Sequence, residues 1–288
     1  MRRTYLAVFT AAAMLAGMSA HAVDLKNVAE ASMLVEGKAT LNPDGSIASY
    51  SLREPEKLPA PVIDLIKENI TTWKLVFVQA PTGPVEEDMT MRVIATDIDR
   101  THTTLRLASA HFEDANRPAN EVVHSKDQVQ PSYPRRSIDG HVSGTVYVLV
   151  RVGRDGHVLD ADAEQVNLHQ YVAPSEQTIY RKDLAAASIK AIKQWTFEVP
   201  SAGPTAGQPY WYSRVPVKFH LHQIGNPAFD SHTGEDYGTW EIYVRGPREN
   251  ISWLKDQTLL AEAPDSTTDS GVHQLGIGPT LQTPLAPN

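Results

Sequence analysis

Histidines and carboxylates are the side chains from which a cysteine-free chain can build a reactive or metal-binding site, and in this 288-residue sequence they gather in three places. His220 and His222 alternate, with His232, Glu235 and Asp236 close behind. Imidazoles beside carboxylates suit a transition-metal ion, but two ring nitrogens alone do not make a site. Asp160, Asp162 and Glu164 also alternate, which offers oxygen ligands to a hard cation; with Ala161 and Ala163 turned inward, a solvated acidic stripe is the simpler expectation. His111 and His124 have acidic neighbours, yet no spacing ties either to a nucleophile. Gly-x-Ser-x-Gly, Walker, His-Glu-x-x-His and supported Ser-x-x-Lys motifs are all absent from the sequence. The lack of cysteine removes disulfides, thiolate metal sites and thiol nucleophiles together. With 34 acidic residues against 26 basic ones, the overall field repels phosphate backbones. No catalysis, cofactor, metal, nucleic acid or small-molecule substrate is therefore expected, and a hydrolase is the minor alternative.

Two repeated patterns would position whatever these side chains do. Met33 to Ile47 and Gly144 to Val158 align with the same alternation, placing Val35, Gly37, Ala39 and Leu41 against Val146, Val148, Val150 and Val152. A strand turns every second side chain to one face, so this is one buried face written twice. Asp44-Gly45 and Asp155-Gly156 follow at the same point, a strong hairpin signal because the turn needs positive φ. The period then becomes helical: Val62, Ile66, Ile70 and Trp73 in the first copy, and Leu184, Ser188, Ala191, Ile192 and Trp195 in the second. Each stripe ends on a tryptophan expected to plug the gap between helix and sheet. An alternating strand closes each copy, at Met89 to Ala95 and at Val215 to Leu221. Some 11 extra residues in the second copy, around Tyr171 to Arg181, are expected in a loop.

Within the second copy, Gln130-Pro131-Ser132-Tyr133-Pro134, the Val-rich strand from Gly144, Arg154-Asp155-Gly156, the helix into Trp195-Thr196-Phe197 and the final Val215-Pro-Val-Lys-Phe219 together resemble the C-terminal domain of the TonB energy transducers. The resemblance implies an α+β fold of two tandem TonB C-terminal-like units, each a small antiparallel sheet with a helix packed on one face, the first unit degenerate. It implies a periplasmic protein working by strand addition in TonB-dependent transport, its partner an outer-membrane TonB-dependent receptor or another envelope protein. Partner contacts would map to Gln130, Pro131, Tyr133 and Pro134, with Arg135 and Arg136 beside them, and to Val215, Val217 and Phe219 on the edge strand. Tyr133-Pro134 has a structural alternative, that of fixing the chain as it enters the first strand. The rival function is an envelope scaffold with no transporter partner.

The expected organisation follows. Residues 1–22 read as a signal peptide, with Arg2-Arg3, an apolar run from Leu6 to Met18 and an Ala20-His21-Ala22 cleavage site; the alternative is an uncleaved inner-membrane anchor. The first unit spans 23–98, a linker with an extra strand 99–127, the second unit 128–222 and a C-terminal extension 223–263. In that extension, Thr239 to Val244 is expected to form a strand and Ile251 to Leu260 a short helix, both packing on the second unit. Residues 264–288, rich in Pro, Gly, Ser and Thr without Lys or Arg, are expected to be disordered.

Overall fold

The computed structural model describes residues 30–97, 103–114, 116–221 and 237–285. The expected signal peptide, residues 1–22, and His222, His232, Glu235 and Asp236 lie outside them. The architecture is α+β, built on small antiparallel sheets. The first half runs β1 (Glu30–Leu41), β2 (Ile47–Leu52), α1 (Ala60–Ile70), β3 (Leu75–Val76), β4 (Val85–Asp97) and β5 (Thr103–Asp114). The second runs β6 (His124–Asp127), α2 (Arg135–Asp139), β7 (Gly144–Gly153), β8 (Val158–Leu168), α3 (Pro174–Ile192), β9 (Thr196–Glu198) and β10 (Tyr210–Phe219), followed by the short strands β11 (Glu241–Tyr243), β12 (His273–Gln274) and β13 (Thr280–Leu281). One sheet has the order β11-β1-β4-β5 with β2 alongside β1, and the other β12-β10-β7-β8; β13 pairs with β3, and β6 with β9.

The two hairpins form as their sequences require. Gly45 and Gly156 sit at φ 82° and 78°, where L side chains are disfavoured. Asp44 and Asp155 each accept a hydrogen bond from the backbone N–H two residues on, at 3.0 and 3.1 Å. In each copy the glycine carbonyl then accepts from the strand after the tryptophan: Leu75 N–H to Gly45 O at 2.9 Å and Phe197 N–H to Gly156 O at 2.8 Å. The hairpin tip is thus tied to the far end of its own helix. Val62, Ile66, Ile70 and Trp73 are buried against Val35, Ala39, Met89 and Met91, and Leu184, Ile192 and Trp195 against Val146, Val148, Val150 and Val215. Both tryptophans lie in these cores, and the Trp195 indole N–H donates to Val129 O at 2.8 Å.

Three expectations are corrected. The extra residues of the second copy do not form a loop, because α3 begins at Pro174. Pro174 pre-sets the first helical φ, Gln177 and Tyr180 are buried, and Arg181 Nε donates to Val166 O at 3.1 Å, so the added length is held against β8. The strand β11 pairs with the first unit, Glu30 to Ser32 of β1, while Val244 beside it exchanges backbone hydrogen bonds with Leu168 of β8; the extension bridges both sheets. Ile251 to Leu260 forms a turn and a 3-10 segment at Gln257–Leu260 rather than a longer helix, but Ile251, Leu254 and Leu260 do cover Leu149 of the second unit.

The expected disorder from Pro264 onward is corrected as well, for the tail is built into the fold. Asp265, Ser266 and Thr267 are fully buried. Arg92 Nε donates to Asp265 O at 2.6 Å, and Arg245 Nη2 reaches both Asp265 carboxylate oxygens at 2.9 and 3.0 Å. Burial opposes the Asp265 charge, yet the two guanidiniums hold its pKa below the usual carboxylate range. A segment held by ion pairs and two-residue strands carries no hydrophobic period, and its composition therefore resembles that of a disordered tail.

Candidate functional site

The structure divides the expected contact residues into two groups. Residues 128–134 belong to no helix or strand; Pro134 is extended at φ −63° and ψ 132°, the residues before Pro131 and Pro134 are biased the same way, and the run leads into α2, which is lodged against α3. Together with Asp183, Ala187, Lys190 and Gln194 of α3, Gln130, Tyr133, Pro134, Arg135 and Arg136 line a shallow cleft of about 550 Å³. Pro131 belongs to the same run. Arg136 Nη1 lies 3.2 Å from Asp183, and Arg135 Nε 3.0 Å from Asp139, a largely exposed pair. The Tyr133 hydroxyl donates to Val142 O at 2.8 Å, burial raises its pKa, and its ring meets Phe219 edge-on at 5.2 Å between centroids. Tyr133 therefore anchors the segment to the core while one side of its ring lines the cleft. The cleft mixes apolar floor, backbone polar groups and both charge signs, as a peptide-docking groove does.

The second group does not face outward. The side chains of Val215, Val217 and Phe219 are buried in the core under α3. The outer edge of β10 is paired by β12 at Ser213 and Arg214, with Leu275 N–H donating to Tyr212 O at 2.9 Å. This parity turns the backbone groups of Tyr212, Arg214, Pro216 and Lys218 outward, so the next outward donor position holds Pro216, which has no N–H. Proline on the open side of an edge strand interrupts strand addition.

The acidic stripe of β8 proves to be neither a cation site nor a solvated face. Glu164 is fully buried and takes a two-point contact from the equally buried Arg214, Nε at 2.9 Å and Nη2 at 3.2 Å, with Arg248 bonded to it as well. Asp162 accepts from the Trp253 indole at 2.6 Å, and Asp160 pairs with Arg151. The stripe is tied within its own sheet by Arg151 and Arg214 and to the C-terminal extension by Arg248 and Trp253. The alternation was legible, but Arg214, Arg248 and the Trp253 indole that meet it lie far along the chain. Asp183, Lys190 and Gln194 were passed over in the sequence for a simpler reason. They occupy the polar face of a helix whose buried stripe dominates its pattern, and only spacing from that stripe would single them out.

No family model, curated protein or solved structure matches this chain. Among the described residues, no helix is long and apolar enough to cross a membrane.

Proposed function

We propose that the chain is an exported protein-contact module made of two tandem TonB C-terminal-like units, and that it binds an envelope partner, such as an outer-membrane TonB-dependent receptor, along the 128–136 segment. The observation that carries this reading is the Gln130 to Pro134 run, which belongs to no helix or strand and ends extended at Pro134. Its main chain has no strand partner, and it lies over the cleft against α3 with Arg135 and Arg136 exposed at its end. An unpaired extended backbone supplies affinity by strand addition, and the neighbouring pocket selects side chains. The covered β10 edge moves the point of contact from Val215, Val217 and Phe219 to this segment.

The test is site-specific photo-crosslinking in exporting cells, with the reactive residue at Gln130, at Gln194, or at the distant Lys38. Adducts with one outer-membrane transporter from the first two positions only, lost in an Arg135→Glu/Arg136→Glu variant, are expected. Equal adducts from Lys38, or none from Gln130, would overturn the reading. A Lys218→Pro variant removes an outward donor of β10 without touching its ladder to β7; loss of adducts in that variant alone would return the contact to the β10 edge.

A further inference from the structure

Three side chains from two distant parts of the chain converge where β12, which caps β10, meets β5 of the other sheet. His111 and Glu113 stand two residues apart on β5, so both project from its outer face while Ala110 and Phe112 enter the core. His273 comes from β12, the short strand that caps β10. One ligand-capable atom from each residue lies within 4.8 Å of the others. Glu113 Oε2 is 3.9 Å from His111 Nε2 and 3.6 Å from His273 Nδ1. The rings meet edge-to-face with centroids 6.1 Å apart.

The hydrogen bonds on the far sides of the rings decide what faces the centre. His273 Nε2 lies 2.9 Å from Ser270 O, and a carbonyl only accepts, so Nε2 carries the proton and the neutral ring turns the Nδ1 lone pair inward. His111 Nδ1 lies 2.7 Å from the Glu262 carboxylate, which likewise assigns the proton to Nδ1 and leaves the Nε2 lone pair pointing inward. Both inward nitrogens are buried without a hydrogen-bond partner. Two lone pairs and a carboxylate thus face one another with no donor between them, an arrangement that needs a positive centre.

A proton is one such centre, but a charged imidazole bonds a carboxylate at under about 3 Å, shorter than either separation. An ion held at about 2.0–2.1 Å from nitrogen and about 2.0–2.2 Å from oxygen in tetrahedral geometry separates its ligand atoms by a little over 3 Å. The two carboxylate separations exceed this by a few tenths of an ångström and all three ligand atoms lie within 4.8 Å of one another, so side-chain rotation closes the set on an ion, Glu113 being the most exposed of the three. Nitrogen donors favour zinc, copper, nickel or iron over calcium or magnesium. The partners behind the rings, a carboxylate on one and a backbone carbonyl on the other, are those that metal-bound imidazoles usually have.

We propose that His111 Nε2, His273 Nδ1 and the Glu113 carboxylate form a binding site for a divalent transition-metal ion of the zinc class, with a fourth position left for water. Glu262 and the Ser270 carbonyl are the positioning partners. The ion ties β5 of the first sheet to β12 on the second, fastening the tail that closes the β10 edge.

Chelator-treated full-length protein titrated with Zn²⁺, and separately with Co²⁺, tests this by calorimetry and by the visible spectrum of the cobalt form. One ion per chain is expected, with a raised unfolding temperature and a four-coordinate nitrogen and oxygen cobalt spectrum. E113Q and H273Q should abolish stoichiometric binding, and E262Q should weaken it about 10- to 100-fold. A double variant H222Q/H232Q should bind as the wild type does. Glu113 reaches solvent, so E113Q keeps the test decisive if H273Q fails to fold, its metal-free circular dichroism serving as the control. No stoichiometric binding, undiminished binding by E113Q, or loss of the ion in H222Q/H232Q instead would each overturn the proposal.

Discussion

β4 and β10 occupy the same place in their sheets, and almost everything that differs between the halves concerns what lies beyond them. β4 is paired along its length by β5, from Glu87 opposite Asp114 to Asp97 opposite Thr103. β10 is paired on its outer side by only the two residues of β12. Beneath that edge, matched positions have opposite fates: Lys38 faces Asp88 at the surface, while the corresponding Leu149 faces Arg214, both fully buried. The short strand after each tryptophan is closed from opposite directions, β3 by the C-terminal β13 and β9 by the preceding β6. The repeated segments build two similar cores, and the unrepeated segments finish their edges and bind them together.

The largest test of this contrast is at Glu164. With Arg214 fully buried against it, Glu164→Ala leaves a buried guanidinium without its carboxylate, and the loss should be about 3–5 kcal/mol. Urea unfolding of the full chain measures it. The register-matched site of Arg214 in the first half is the exposed Asp88, and Asp88→Ala should be nearly silent. A cost under about 1 kcal/mol for Glu164→Ala would show that the apolar cover of Ile251, Leu254 and Leu260 over Leu149, rather than the ion pairs on Glu164, seals the sheet.

Glu87 sharpens the comparison from the core side. It stands where the second half has Ser213, on the face turned toward the helix, and is almost completely buried. Burial, and then the Asp114 charge opposite, raise its pKa to about 7. The folded state therefore holds a proton that the unfolded chain releases near pH 4.5. This contribution is most favourable below that pH, declines as pH rises toward 7 and stays at its lower level above. The span corresponds to at most about 3 kcal/mol. Glu87→Gln should remove most of that slope and stabilise the protein at pH 8, whereas Ser213→Ala should leave the pH profile unchanged. An unaltered slope in Glu87→Gln would assign it to another group.

How much of this was legible in the sequence follows from how each part is held. The hairpins at Asp44-Gly45 and Asp155-Gly156 and the stripes ending at Trp73 and Trp195 announce themselves because local turn chemistry and apolar period act over a few residues. The cleft was half visible, since the Gln130 to Arg136 run is contiguous but its α3 wall lies on a polar helix face. The edge closures were not visible: β12 and β13 are two residues each, and strands that short have no period. Nor was the cluster of His111, Glu113 and His273. The His-x-Glu spacing on β5 places two ligands on one face, but the third arrives from the segment whose composition suggested disorder.

The smallest expected effect is at Lys38, and its size matters to the comparison. Lys38 Nζ lies 2.7 Å from Glu86, with both side chains about half exposed, and this hydrogen bond raises the lysine pKa. In water such a pair gains little, since the attraction is screened and two long side chains must be ordered to form it. Lys38→Ala should leave the midpoint of thermal unfolding unchanged at moderate salt, even though its register counterpart Leu149 is a core residue. A clear drop in the midpoint would mean that this corner of the first sheet is covered in the working protein as Leu149 is covered by Ile251 and Leu254, and the two halves would then be alike in their outer faces as well as in their cores.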